Sequence, residues 1–385
     1  METRLLYTIF QGINKAGGGI AKKINSQIKA FQNLGINTST SFLEVDGENK
    51  YTGRTIDGEI LEEYSRFSGM FISWKWRYKF RKLFKYIIEK KINVLYIRYT
   101  HFANPFFIRF LKKLKKADVI VIMEIPSFPY DGEYKKVAFS ATILKRIEEI
   151  YRNSFYRYVD RIVTFSEAKE IFGVKTVKIN NGIDLDTIQL KKTSVSGNSI
   201  HLIAVAVINI WHGYDRIIEG LKIYYNNPGA EVFLHIIGDS DNEESSKYKS
   251  LVKEYDLDKY VSFYGFKSGD ELDALFDIAD LAIGSVGIHR IGLSNTNPIK
   301  FGEYCARGIP FVYSGIYDIF EEQPFIYKVP NDDSPVNIHE LVNFVKTNMF
   351  YPEEIRKFAA ENLTWEIQMA KILNEIEILK NGQGI

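Results

Sequence analysis

The chain has 385 residues, of which 45% are hydrophobic and 25% charged, and its net charge is +2. That length exceeds what one hydrophobic core usually serves, so two domains are expected, and the lack of low-complexity or Gly/Ser/Pro-rich segments excludes a disordered chain. The single cysteine, Cys305, excludes an internal disulfide, and the longest apolar runs, such as Leu202 to Ile208, fall far short of the roughly 20 residues that a membrane-spanning helix needs. Met1 leads almost directly into a strand-like run with no signal segment, so a reducing, cytoplasmic location is expected.

The first strand is expected over Leu5 to Phe10. Gly17, Gly18 and Gly19 follow it and open a helical pattern from Ile20 to Leu34, with Gly35 as C-cap. Glycines at a helix N-terminus let backbone amides approach a phosphate or a sugar hydroxyl, and a tight structural turn explains them equally well. Their spacing fits neither the dinucleotide fingerprint nor the P-loop.

Two segments, Trp74 to Lys91 and Phe106 to Lys116, interleave Lys and Arg with apolar residues at helical spacing. Residues 1–192 hold 34 Lys and Arg against 20 Asp and Glu, whereas residues 193–385 hold 16 against 28, so the halves are about +14 and −12. This basic amphipathic pattern suits docking on an anionic membrane surface, and equally a solvated helix face. No nucleic-acid-reading motif accompanies the charge, which argues against nucleic acid as a partner.

Further strands are expected at Val94 to Tyr99, Val119 to Met123 and Arg161 to Phe165. Arg98 and His101 flank the end of the first of these, and Glu124 follows the second, ahead of Tyr130. A carboxylate at such a strand end can orient an acceptor hydroxyl, with structural hydrogen bonding as the alternative. Asn181-Gly182-Ile183-Asp184 reads as a turn. The polar stretch Lys191 to Ser199 marks the expected domain boundary.

In the second half, strands are expected at Ile200 to Val207, Glu231 to Ile237, Val261 to Tyr264, Leu281 to Ile283 and Phe311 to Tyr313, separated by helical patterns. Alternation of this kind implies two doubly wound α/β domains with parallel sheets. Ligands of such sheets bind beyond the carboxyl ends of the strands. His212 and Gly213 stand there before a helix, where an anion and a side-chain donor would meet. Gly238 and the pair Gly265-Phe266 end two further strands, where backbone can meet a planar base.

The segment from Gly292 to Pro310 concentrates the signals. Asn297 is the expected N-cap, Pro298 the first helical residue and Gly308 the C-cap. The amides around Thr296 suit a diphosphate. Lys300 and Glu303 share one helix face, so an ammonium can meet a phosphate while a carboxylate accepts from two ribose hydroxyls. A surface ion pair between them is the alternative. His289 and Arg290 add donors just upstream. No Asp-x-Asp or His/Cys cluster calls for a metal.

This order of motifs, with Ser166, Asn181 to Asp184, His212-Gly213, Gly238-Asp239, Gly265 and Pro298 through Pro310, resembles the family 4 retaining glycosyltransferases, and within them the enzymes of bacterial surface polysaccharides. The resemblance implies the GT-B fold, two Rossmann-like domains facing a central cleft. It implies an acceptor-binding domain over 1–192, a nucleotide-sugar domain over 200–362, and C-terminal helices over 363–385 that cross back near Trp365. Glu303 would grip the ribose. Asn295 stands where the family commonly has an acidic residue, Val207 and His212 near its usual Arg and Lys, and Glu124 in place of its acceptor-side histidine.

The expected activity is therefore metal-independent, retaining transfer of a hexose-type sugar from a nucleotide diphosphate to a glycan or lipid-linked acceptor. No cofactor beyond that co-substrate is expected. Glu124, Asn295 and Glu303 are the expected catalytic residues. Gly18, Gly19, His212, Gly213, Gly238, Phe266, His289, Arg290, Asn295, Thr296, Asn297, Lys300 and Glu303 form the donor set, and Arg98, His101, Glu124 and Tyr130 the acceptor set. Arg290 and Lys300 together would neutralise the pyrophosphate. A sugar-nucleotide epimerase and a catalytically silent nucleotide-sugar-binding scaffold are the alternatives.

Overall fold

Parallel strands covered by helices on both faces must be apolar along most of their length. In a computed structural model of the protein, which describes residues 2–12, 18–45, 51–64, 76–130, 139–192, 197–238, 242–294 and 298–383, the runs Leu5 to Ile9, Val94 to Ile97 and Ile120 to Met123 are buried throughout. The chain divides into two units, Met1–Asn180 with Trp365–Ile385, and Asn181–Thr364.

In the first unit the elements run β1 (Arg4–Ile9), α1 (Gly18–Asn33), β2 (Asn37–Val45), β3 (Tyr51–Ile56), β4 (Glu59–Glu63), α2 (Arg81–Glu89), β5 (Val94–Arg98), α3 (Pro105–Lys115), β6 (Ile120–Ile125), α4 (Phe139–Arg152), β7 (Arg161–Thr164), β8 (Glu170–Ile171) and β9 (Val174–Lys178). The strand order is β4-β3-β2-β1-β5-β6-β7-β9-β8. Its interior is parallel, while β3, β4 and β8 pair antiparallel at the two edges. One face packs α1 through Ile24, Ile28 and Phe31, and the other packs α2 and α3 through Leu83, Ile87, Phe107 and Leu111.

The second unit runs β10 (Ser199–Val205), α5 (Tyr214–Tyr224), β11 (Glu231–Ile237), α6 (Glu243–Glu254), β12 (Val261–Phe263), α7 (Asp270–Ile278), β13 (Leu281–Ile283), α8 (Ile299–Arg307), β14 (Phe311–Ser314), β15 (Ile326–Val329), α9 (Ile338–Thr347) and α10 (Pro352–Asn362). Its sheet is parallel throughout, in the order β12-β11-β10-β13-β14-β15. That order reverses direction between β10 and β13, the switch point at which open α/β sheets leave a crevice for ligands.

A last helix, α11 (Trp365–Gln383), returns to the first unit and buries Trp365, Met369, Ile372 and Ile376 on the face that carries α1. The division after Asn180 falls earlier than the Lys191–Ser199 boundary read from sequence. Residues after it are fastened within the second unit: Ile183 N donates to Leu363 O at 2.9 Å, Lys191 N to Arg307 O at 2.9 Å, and the Arg356 guanidinium to Leu185 O at 2.8 Å.

Candidate functional site

The switch point of the second unit is built by two loops that hold one another. Val286 N donates to His212 O at 3.0 Å and Gly287 N to Trp211 O at 3.1 Å, which ties the exit of β13 to the exit of β10. Gly213 turns the chain into α5 with φ 65°, and a Cβ there would lie 2.8 Å from Gly287 N. Gly238, φ 144°, lets β11 end against β10, since its Cβ would stand 1.6 Å from Ala206 O. Both positions exclude any side chain.

His212 is buried in this loop, stacked on Tyr214 with ring centroids 5.4 Å apart. Its Nδ1 lies 3.1 Å from Asn209 N, which donates to it. Burial, and secondly the nearby Lys300, push the imidazole down to about 2, so the ring is neutral at physiological pH. With Nδ1 accepting, the proton sits on Nε2 and the ring is a fixed hydrogen-bond donor.

Lys300 and Glu303 lie one helical turn apart on α8. The Lys300 Nζ is buried and makes no hydrogen bond among the described residues, standing 5.9 Å from the Tyr214 ring centroid. Burial pulls its ammonium down to about 7, with Glu303 acting in the opposite direction. Asn295, Thr296 and Asn297 lie outside the described residues, as does Asp239. The helix starts one residue later than expected: Pro298, φ −75° and ψ 138°, is the cap residue and not the first helical one. Gly308 ends the helix with φ 73°, as its C-cap.

Arg290 departs from its expected role. Its Nη1 donates to Asp215 at 2.8 Å and its Nε to Asp333 at 2.7 Å, while His289 Nε2 meets the same Asp333 oxygen at 3.0 Å. Two carboxylates already offset this guanidinium, so it ties its own loop to the first turn of α5 and to the Asp333 loop and is not a spare cation for a phosphate. Asp215 and Asp333 were missed in the sequence because they lie 75 and 43 positions from Arg290. Phe266 follows Gly265 and is 78% exposed.

The first-unit candidates form two clusters on opposite faces of the sheet. Glu124 and Arg98 are register partners on β6 and β5 and form a buried ion pair, and Tyr96 Oη donates to the other Glu124 oxygen at 2.7 Å. Glu124 is 0% exposed, so it does not reach toward open space as the sequence suggested. Lys23 of α1 lies in the same layer, 3.5 Å over the Phe165 ring, and burial lowers its ammonium to about 8. His101 instead stacks on Tyr130 at 3.7 Å, and the hydroxyls of Tyr130 and Tyr99 both donate to Glu148 at 2.7 Å. Gly18 and Gly19 occupy the first turn of α1 in this unit, whereas every other described donor residue belongs to the second; Gly17 lies outside the described residues.

Residues 186–334 match the model of one family, glycosyl transferases group 1. That span contains His212, Gly213, Gly238, Phe266, His289, Arg290, Lys300 and Glu303, so these switch-point residues all lie within the matched segment. Over 201 residues the chain is 23% identical to a putative colanic acid biosynthesis glycosyltransferase, WcaL, of Escherichia coli (strain K12), covering 51% of this chain and 49% of that protein. The chain thus spans about half the length of the curated relatives it matches. Among solved structures, a glycosyltransferase from Rickettsia africae ESF-5 superposes with a TM-score of 0.64 at 14% identity, covering 99% of this chain and 100% of that one. Anabaena Alr3699/HepE in complex with UDP gives a TM-score of 0.59 at 14% identity, covering 97% and 100%. The fold is that of the GT-B glycosyltransferases.

Proposed function

We propose that the protein is a cytoplasmic, metal-independent, retaining hexosyltransferase that takes its sugar from a nucleoside diphosphate and passes it to a hydroxyl of a glycan or lipid-linked acceptor in bacterial surface polysaccharide synthesis. The observation that carries this reading is Lys300, a buried ammonium without a hydrogen-bond acceptor among the described residues, placed on the first turn of α8 near the neutral donor His212. An uncompensated buried cation is costly, and a ligand anion relieves it. A structural neighbour solved with UDP-glucose, Anabaena HepE, supports a sugar nucleotide as the source of that anion.

In this reading Lys300 and the His212 Nε2–H take phosphate oxygens, Asn295, Thr296 and Asn297 belong to the donor set by their place in the sequence, and Glu303 accepts from the ribose hydroxyls. Phe266 offers its exposed ring to the base. Charge developing on the leaving diphosphate is stabilised in place by Lys300 and the amides at the start of α8, the main catalytic device available to this site. The acceptor is received by the first unit, where the buried Glu124–Arg98 pair positions the ends of β5 and β6 and does not touch the sugar.

Calorimetry with a panel of nucleoside diphosphates tests the reading. Lys300→Ala should weaken the best ligand by about tenfold or more, the loss of one charge-assisted contact worth roughly 1.5 to 3 kcal/mol. Unchanged affinity in a folded variant would refute the assignment. Incubation with nucleotide sugars in water should release the sugar slowly with its anomeric configuration kept, and chelator should leave the rate unchanged. An epimerised donor, or binding with no turnover, would replace the transferase reading.

A further inference from the structure

Residues 76–116 carry thirteen Lys and Arg and one acidic residue, Glu89. Helices α2 and α3 of the first unit turn Leu83, Ile87, Phe107 and Leu111 to the core. Arg81, Lys82, Arg109, Lys112, Lys113 and Lys116 are exposed, and none forms an ion pair among the described residues. A groove of about 180 Å³ runs between the two helices. Phe80, Phe84 and Phe110 line its apolar part, and Arg81, Arg109 and Lys113 supply its cations. Tyr78 and Phe106, 44% and 55% exposed, complete its lining with ring centroids 5.9 Å apart. A second hollow beside α3 shares Arg109 and Lys113 and adds Lys112 and Lys116.

We propose that this α2–α3 face docks the protein on a bilayer containing anionic phospholipid, with a lipid phosphate held among Arg81, Arg109 and Lys113 and the rings of Phe106 and Tyr78 seated at headgroup depth. Unpaired cations beside an apolar groove are complementary to an amphipathic anion, which a phospholipid is and a nucleic-acid backbone is not. Exposed aromatic rings next to lysines are the residues that settle at a membrane interface. With a net charge of only +2 for the whole chain, the attraction is local to this face. The inference is independent of the transferase reading, because lipid binding is measured without turnover.

The full-length chain is sedimented with vesicles of phosphatidylcholine alone and of phosphatidylcholine mixed with phosphatidylglycerol. Binding is expected only to the mixed vesicles, falling as salt rises. Arg109→Glu/Lys113→Glu should weaken it by about tenfold or more. Lys169→Glu/Lys175→Glu, an equal charge change at exposed lysines elsewhere on the first unit, should leave it within about twofold. Phe106→Ser should weaken binding without altering its salt slope. Thermal melts and nucleoside diphosphate affinity, both unchanged, separate a lost surface from a lost fold. Equal binding to neutral vesicles, or equal loss in both double variants, overturns the proposal. So does displacement from mixed vesicles by single-stranded RNA, which would assign the face to nucleic acid.

Discussion

Lys300 holds an ammonium where solvent does not reach Nζ and no acceptor among the described residues meets it, and that arrangement has a pH signature. Its folded value of about 7 lies below the ordinary lysine value of 10.5. Between these two values the unfolded chain binds a proton that the folded chain has released, so this group's contribution to stability improves as pH rises through that window and is least favourable below pH 7. A bound diphosphate reverses the shift and recruits the proton. Nucleoside diphosphate affinity should therefore be nearly flat below pH 7 and fall by up to about tenfold per pH unit above it. Calorimetry in buffers of different ionisation enthalpy should show proton uptake on binding at pH 8, absent in Lys300→Met. The same variant should gain about 1 to 3 kcal/mol in urea unfolding at pH 6, because a lone buried charge is removed. Glu124 gives the opposite case: Glu124→Gln strands Arg98 inside the first unit and should lower stability by about 3 to 5 kcal/mol, with partial recovery in Arg98→Met/Glu124→Gln. Sequence placed Lys300 and Glu303 on one helix face because their spacing and the flanking Pro298 and Gly308 are local signals. It misread Glu124, because the Arg98 opposite it is set by strand register, which no local pattern encodes.

At the scale of elements, two glycines separate close packing from mere turn geometry. Gly238→Ala would put a Cβ 1.6 Å from Ala206 O, so β10 and β11 must part at their carboxyl ends, beside the switch point. Nucleoside diphosphate binding should be lost along with several degrees of melting temperature. Gly265→Ala meets nothing within 4 Å and only forces alanine into φ 64°, a change of about 1 to 2 kcal/mol that leaves binding intact. Thermal melts and calorimetry on both variants check the contrast. The central strands were readable because they are continuous apolar runs, and Glu231–Ile237 and Leu281–Ile283 stand where the pattern put them. The edge strands were not. β2, Asn-Thr-Ser-Thr-Ser-Phe-Leu-Glu-Val, starts polar and has only Ser41 and Leu43 buried, so its identity rests on backbone pairing with β1. The β3–β4 hairpin did leave a local mark, Asp57-Gly58 with φ 50° and 87°, a turn dipeptide that favours such hairpins.

For the whole molecule the consequential feature is that the first unit is closed by residues from the far end of the chain. Trp365, Met369, Ile372 and Ile376 fill the layer that also holds Ile24, Ile28 and Phe31, so a chain ending at Thr364 should expose that layer, bind a hydrophobic dye and aggregate, while its second unit still binds nucleoside diphosphate. A soluble, dye-silent truncated chain would contradict this. The same feature bears on how the protein is made. A ribosome must deliver the entire second unit, roughly 10 to 40 s of elongation at about 5 to 20 residues per second, before the helix that seals the first unit emerges. Throughout that interval the early half waits with an open apolar flank, a natural client for a chaperone, and its completion is postponed until α11 has been made.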